Sequence, residues 1–416
     1  MRFLPWLLRR VIHTGSLTLI GPDGNSETFD GAIPGPSVTI RITDPALDRK
    51  LLLNPELRFA EAYMGGGIEV AREDLRDLMR LFKLNKERLN RTPSQAVFLR
   101  AARVAKRIVR NTPFRARRNA AAHYDIGNDL YRLFLDADMQ YSCAYFPQGD
   151  ETLEQAQLAK MRHIAAKLML RPGQRVLDIG CGWGGMALYL ARVADVEVLG
   201  ITLAEKQLEL ARERAEAAGL ADRVRFELRD YRALDGTFDR IVSVGMMEHV
   251  GAASLGTYFD AVRERLAPDG VALIHSIMRR SAAGVTSPFT AKYIFPGGYI
   301  PALSETVAAV EQSQLWLLDC EIWRRHYAYT IEHWAKRFAA SRDRARAMYD
   351  ERFCRMWELY LAGAESSFRD GRMAVMQLQL GIERDAVPLS RDYLVVESGR
   401  LRAREAEVGV GSSAAA

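Results

Sequence analysis

Between residues 175 and 278 the chain alternates short apolar runs with amphipathic helical stretches, and no other feature narrows its fold as far. Apolar runs at 175–180, 196–202, 224–230, 238–245 and 270–278 are separated by helical periodicity at 184–194, 204–219 and 254–266. That alternation predicts an α/β protein built on a doubly wound parallel sheet. Ligands of such sheets gather beyond the carboxyl ends of the strands, near the reversal of strand order, so the residues that follow each strand become site candidates. The first strand, Val176-Leu177-Asp178-Ile179, runs into Gly180-Cys181-Gly182-Trp183-Gly184-Gly185. Glycines let the backbone approach a ligand closely and adopt positive φ. A dinucleotide fingerprint can be laid over this turn through Gly185, but it calls for an acid about 20 residues further on. The second strand instead ends Val198-Leu199-Gly200-Ile201-Thr202, without one.

The rest of the chain divides around this core. At roughly 100–200 residues per domain, 416 residues predict two or three domains. Residues 16–20 and 37–42 alternate like strands, and helical patterns follow at 44–53, 55–63 and 72–84, the last opening on Glu73 and Asp74. We therefore read residues 1–105 as a small N-terminal domain, 106–120 as a basic linker, 121–400 as the catalytic domain and 401–416 as a disordered tail. The net charge of +6 is modest, but its placement is uneven. Arg103, Lys106, Arg107, Arg110, Arg115, Arg117 and Arg118 stand together without an acid, and Arg2, Arg9 and Arg10 are interleaved with Phe3, Leu4, Trp6, Leu7 and Leu8. Both segments suit attraction to an anionic membrane surface, at roughly 1 kcal/mol per basic residue near the lipid. A solvated linker and an ordinary first helix are the alternative. No nucleic-acid reading motif accompanies the charge, so nucleic acid is not an expected partner. The chain has no apolar run of about 18 residues, and residues 3–8 are too short for a signal-peptide core, which predicts a cytoplasmic protein held peripherally at the inner membrane surface. The four cysteines lack paired spacing, so reduced thiols and no metal are expected.

The glycine turn resembles the Asp-x-Gly-x-Gly-x-Gly loop of S-adenosylmethionine-dependent methyltransferases, in which Asp178 would end the strand and the glycines would border the amino-acid part of the cofactor. Other stretches resemble a narrower group, the cyclopropane-fatty-acyl-phospholipid synthases and mycolic acid cyclopropane synthases. They are His123-Tyr124-Asp125-Ile126-Gly127-Asn128-Asp129 continuing to Tyr141-Ser142-Cys143-Ala144-Tyr145-Phe146, then Gly200-Ile201-Thr202-Leu203 with Gln207. Gly245-Met246-Met247-Glu248-His249-Val250-Gly251 and Phe295-Pro296-Gly297-Gly298-Tyr299-Ile300-Pro301 follow. The likeness spans residues 121–395. It implies a class I S-adenosylmethionine-dependent methyltransferase, a Rossmann-like doubly wound sheet, joined to a smaller N-terminal α/β lipid-facing domain.

The resemblance further implies transfer of a methylene carbon from S-adenosylmethionine to the cis double bond of unsaturated phospholipid acyl chains, through a carbocation, with bound bicarbonate as the base. It assigns the cofactor to Tyr141, Ser142, Asp178, Gly180 and Gly182, with Thr202 and Gln207 in place of the ribose acid and Asp230 and Tyr231 beside the adenine. It assigns the bicarbonate to Cys143, Glu248, His275 and Tyr327, and it also raises a homodimer. Strand order adds independent support, because Glu248 follows the fourth strand and His275 ends the fifth, on loops that converge at the ligand edge. Each residue also has a plainer reading: Glu248 as a structural cap, His275 as a satisfied core histidine and Cys143 as a small buried hydrophobe. Two positions depart from the pattern: Ala364 stands where many relatives have cysteine, and Met247 where phenylalanine is frequent. They leave open a related fatty-acyl C-methyltransferase that yields a methyl-branched or methylated alkene chain. A small-molecule N-methyltransferase of the same fold is a further alternative, and a lipid-binding protein without catalysis is another.

Overall fold

A computed structural model describes residues 1, 3–51, 54–71, 74–92, 112, 117 and 127–410. Most of the basic linker, and residues 123–126 of the first motif, lie outside these described residues. The chain forms two compact units. One comprises Met1–Lys106, Val285–Pro296 and Ile331–Met373, and the other Arg107–Gly284, Gly297–Thr330 and Ala374–Ala416.

The first unit carries a four-stranded sheet of β1 (Thr14–Ile20), β2 (Ser26–Asp30), β3 (Ile33–Ile42) and β4 (Ile68–Val70), in the order β2-β1-β3-β4. Alternation along β1 buries Leu17 and Leu19 with Val38, Ile40 and Ile42 of β3, as period-two side chains require. Leu78 and Leu81, from the helix Leu75–Asn90, close the same core. That helix starts at Asp74, whose side chain accepts from the Arg76 N–H at 3.1 Å. The helix Phe3–Val11 buries Leu4, Leu7, Leu8 and Val11 and exposes Phe3, Trp6, Arg9 and Arg10. Arg10 lies over the Trp6 ring, 4.0 Å from its centroid.

The first stretch of this unit ends at Lys106, but the unit is not sequential, because Val285–Pro296 and Ile331–Met373 also belong to it. The helix Glu351–Arg369, expected within the catalytic domain, belongs to the first unit and packs on the helix Leu75–Asn90. Ser366 Oγ donates to Met79 O at 3.3 Å, and Arg76 donates to Glu365 at 2.5 Å. An apolar stripe reveals that a helix is covered but not by which partner.

The second unit is built on seven strands: β5 (Arg175–Ile179), β6 (Glu197–Thr202), β7 (Val224–Leu228), β8 (Phe238–Val244), β9 (Leu266–Arg279), β10 (Trp316–Trp323) and β11 (Met373–Gly381). Their order is β10-β11-β9-β8-β5-β6-β7. Strands β5 to β9 pair in parallel, and β10 runs antiparallel to β11. The five apolar runs expected from sequence are thus the parallel strands. Order reverses between β5 and β8, which places the ends of these two strands at the switch point. The helix Leu153–Leu168 is fixed at its start by a capping box between Thr152 and Gln155.

The expected disordered tail is corrected in part. Residues 401–407 complete the helix Tyr393–Glu407, in which Leu401 is fully buried. Glu405 accepts from Arg162 at 2.6 Å and from Tyr189 Oη at 2.7 Å. These contacts tie down a segment whose composition alone gave no sign of order.

Candidate active site

The site begins where β5 meets the glycine turn. Gly180 and Cys181 donate their N–H groups to Ile201 O at 2.9 and 3.0 Å, so the turn is bonded to the end of β6. Gly180, Gly182 and Gly184 have φ of 83°, 54° and 81°. At Gly184 a Cβ would meet the Phe226 ring at 2.6 Å, so this glycine serves packing, whereas the space beside Gly182 is open. Arg214 bonds Trp183 O at 2.8 Å and Asp138 O at 3.1 Å, joining the glycine turn to the segment that leads to Tyr141 and Ser142. Tyr141 stands edge-on to Tyr131, 5.1 Å between ring centroids.

Asp178, near the end of β5, is buried, and its Oδ2 has no hydrogen-bond partner. Burial, offset in part by the charge of Lys160, pushes its carboxyl up to about 7. At the end of β6, Thr202 Oγ1 donates to Gln207 Oε1 at 3.3 Å, and both residues are buried. Asp230 is engaged locally. Its two oxygens accept from Arg232 at 2.8 and 2.6 Å, and against the cost of burial these bonds hold its carboxyl below the usual range. Tyr231 is buried edge-on to Tyr258 with Arg232 over its ring, and burial raises its hydroxyl to about 12.

Glu248 sits in a short 3₁₀ turn, Met247–His249, immediately after β8. It is not a helix cap. Its Oε1 accepts from the Ile277 N–H at 2.6 Å, two residues beyond His275 on β9, and its Oε2 is buried without a partner. Burial outweighs that bond and the lesser influence of the Ser276 hydroxyl, and pushes the carboxyl up to about 7. His275 is 2% exposed, and burial, then the charges of Lys160 and Lys167, hold its ring well below the ordinary value, so it is neutral. Cys143 is buried, which raises its thiol and keeps it protonated. Tyr327 is half-buried in the first turn of the helix His326–Ala340. That turn is bonded to the segment following Cys143, because Ala144 N–H donates to Thr330 Oγ1 at 2.9 Å and Phe146 N–H to His326 Nδ1 at 3.1 Å.

The element that gathers these groups is Lys160, which sequence reasoning missed. Fully buried, its Nζ donates to Gln140 Oε1 at 2.5 Å and Ser142 Oγ at 2.9 Å. Its charge is felt at Cys143, Asp178 and His275. Burial lowers the ammonium to about 8, with Asp136 the largest opposing influence. The signal was present: Leu153, Gln157, Lys160, Ile164 and Lys167 recur at helical spacing, so polar residues occupy a stripe that is otherwise apolar.

An orphaned acceptor at Asp178 and open space at Gly182 fit a cofactor that brings donors to the β5 edge. The Thr202–Gln207 pair offers uncharged hydrogen-bonding groups where a ribose acid would stand. Glu248 Oε2 is a buried acceptor left open just after β8. Each of the thirteen residues expected from sequence lies in the second unit. Asp178, Cys143 and His275 all lie within the electrostatic reach of Lys160, and Glu248 is bonded to the end of β9, whereas Asp230 is committed to Arg232.

Comparison with known proteins gives the family of the chain. The chain matches the family described as mycolic acid cyclopropane synthetase over residues 112–378. It is 37% identical over 367 residues to a probable fatty acid methyltransferase of Pseudomonas putida, covering 86% of this chain and 89% of that protein. It is 39% identical over 332 residues to the cyclopropane-fatty-acyl-phospholipid synthase of Escherichia coli K12, covering 79% of this chain and 84% of that one. Among solved structures, the mycolic acid cyclopropane synthase CmaA1 complexed with SAH and CTAB aligns with a TM-score of 0.61 at 32% identity, over 64% of this chain and 97% of that one. The chain belongs to the mycolic acid cyclopropane synthetase family and is an S-adenosylmethionine-dependent methyltransferase.

Proposed function

We propose that this protein is a cyclopropane-fatty-acyl-phospholipid synthase, acting on cis-unsaturated acyl chains of phospholipid. The observation that carries the proposal is the buried, unpartnered Glu248 Oε2 just after β8, whose other oxygen is bonded to Ile277, two residues beyond His275 on β9. An olefin is a weak nucleophile, and its alkylation leaves a cation and a surplus proton in a place without water. Bound S-adenosylmethionine supplies an electrophilic methyl carbon; Tyr141, Ser142, Asp178, Gly180, Gly182, Thr202, Gln207 and Tyr231 hold and orient it, and Asp230, paired with Arg232, is not among them. Bicarbonate, held by Cys143, Glu248, His275 and Tyr327, supplies the base. Glu248 accepts a hydrogen bond from that anion and His275 donates one, fixing its orientation. Burial keeps Cys143 a thiol, so it acts as a hydrogen-bonding group and not as a nucleophile.

Lipid access in this reading belongs to the first unit. Exposed Phe3 and Trp6 alongside Arg9 and Arg10 suit a peripheral hold on an anionic membrane surface, at the inner face of the cell membrane. Among the described residues no helix is long and apolar enough to cross a membrane. The exposed edge of β10, with Trp316 and Leu317, supports assembly as a homodimer.

The second reading is a fatty-acyl C-methyltransferase that leaves a methylated chain unclosed. It is favoured by the likeness to the Pseudomonas putida protein, a probable fatty acid methyltransferase, and by Ala364, which departs from the pattern that the resemblance implies. Mass spectrometry of lipids from cells expressing the protein tests both. Addition of one CH₂ to unsaturated chains that then resist hydrogenation supports the synthase. A hydrogenatable product supports the second reading, and no gain on any unsaturated chain rejects both.

A further inference from the structure

Beyond the groups assigned above, a line of buried polar side chains crosses the second unit from the helix Leu153–Leu168 to β9. Lys167, 1% exposed, donates through Nζ to Gln377 Oε1 at 2.9 Å. Gln377, fully buried on β11, places Nε2 at 3.1 Å from His275 Nδ1 on the neighbouring strand. The lysine charge is balanced by Glu321 of β10, which also bonds His163 at 2.7 Å. Gln379 Nε2 donates to Lys167 O at 2.6 Å and pins the end of the helix to β11.

We infer that Gln377, oriented by Lys167, is a positioning residue that holds His275 in the tautomer bearing its proton on Nε2. The inference rests on the reading of His275 as a donor to the bound anion, and it explains how that donor is secured. An ammonium can only donate, so the Gln377 atom facing Lys167 is the carbonyl oxygen. The amide nitrogen therefore faces His275, and because that nitrogen also only donates, Nδ1 must accept. A neutral imidazole that accepts at Nδ1 carries its hydrogen on Nε2. Turning the amide over would set its NH₂ against the lysine ammonium in a dry interior, where an unmatched polar contact is most costly. The opposite tautomer would offer an anion a lone pair instead of a hydrogen. The Trp323 ring, edge-on to His275 at 5.2 Å, packs on a side of the imidazole and brings no titratable group to it.

The experiment uses the full-length protein labelled with ¹⁵N at its seven histidines. Long-range proton–nitrogen correlation reads the ring nitrogens, with the His275 signals identified by their loss in His275→Gln. Expected in the unmodified protein is a proton-bearing Nε2 and an unprotonated Nδ1; a proton on Nδ1, or a charged ring, overturns the inference. Gln377→Glu presents oxygen alone to His275, so the proton should move to Nδ1 and turnover should fall about 10- to 100-fold while cofactor affinity is kept, the scale typical of losing a group that orients a histidine. Lys167→Arg keeps a donor-only partner and should preserve the tautomer. A Gln377→Glu protein that melts as the parent does, and keeps the original tautomer and turnover, also overturns the inference. The measurement on the unmodified protein stands whether or not either variant folds. Added bicarbonate should shift the Nε2 signal. An Nε2–H signature indifferent to bicarbonate upholds the positioning and rejects the anion reading.

Discussion

Lys160 Nζ lies 2.9 Å from Ser142 Oγ, and this bond joins the helix before β5 to the segment that carries Tyr141, Ser142 and Cys143. Its ammonium is also the nearby positive charge that eases ionisation of Asp178. Lys160→Met keeps the length of the side chain but leaves Gln140 and Ser142 without their donor. We expect a loss of about 3 kcal/mol in stability, in line with breaking one side of a buried charged network, measured by urea unfolding. Cofactor affinity, measured by calorimetry, should fall with it.

Glu248→Gln preserves shape and the bond from Ile277 but removes a carboxylate. Turnover of labelled S-adenosylmethionine should fall about 100-fold, the scale expected when the base loses a group that orients it. Cofactor binding should stay near that of the parent, because Glu248 stands on the anion side of the site. Undiminished turnover would remove the anion site from the mechanism.

Asp178 titrates near 7 when folded, against an ordinary 3.8, and this raised value has a sign. Between these values the folded protein holds a proton that the unfolded chain has released. Stability from this group is therefore greatest near the lower value and declines as pH rises towards the upper one. Thermal melts without cofactor, from pH 4 to pH 7, should show a shallower decline for Asp178→Asn than for the parent. Glu248, raised to about 7 from 4.5, contributes in the same sense, so a residual slope persists in the variant.

Gly182 and Gly184 should separate binding from folding. A methyl at Gly184 meets the Phe226 ring at 2.6 Å with φ at 81°, so Gly184→Ala is expected to cost about 1–3 kcal/mol in thermal stability. Open space surrounds Gly182, so Gly182→Ala should cost less in melting temperature and more in cofactor affinity.

Trp6 is 48% exposed on a helix whose other face is buried. Trp6→Ala should weaken sedimentation with anionic phospholipid vesicles while leaving the melting temperature unchanged. Equal sedimentation of parent and variant would argue against a lipid role for this helix.

The parallel strands were legible because fully buried strands read as short apolar runs, and the runs at 175–180 and 196–202 match β5 and β6 closely. The glycine turn was legible because its chemistry is local in the chain, and Glu248 became a candidate because it follows the fourth apolar run, at the ligand edge of such a sheet. Lys160 and Gln377 were not, since their partners lie 18 and 102 residues away and no local pattern encodes such a pairing. The two strands β10 and β11 escaped for a related reason. Their antiparallel pairing spans Trp316 to Gly381 with three helices in between, and β11 mixes Gln377 and Gln379 into its apolar run.

The threading of the first unit bears on how the protein can be dissected. A polypeptide begun at residue 107 would retain the helix Glu351–Arg369 but forfeit its neighbour, stripping Glu365 of Arg76 and Ser366 of the Met79 carbonyl. Such a fragment would carry an orphan helix with a greasy flank, prone to clump. Grafting or swapping the first unit of this protein therefore means exchanging three stretches of sequence together, not one.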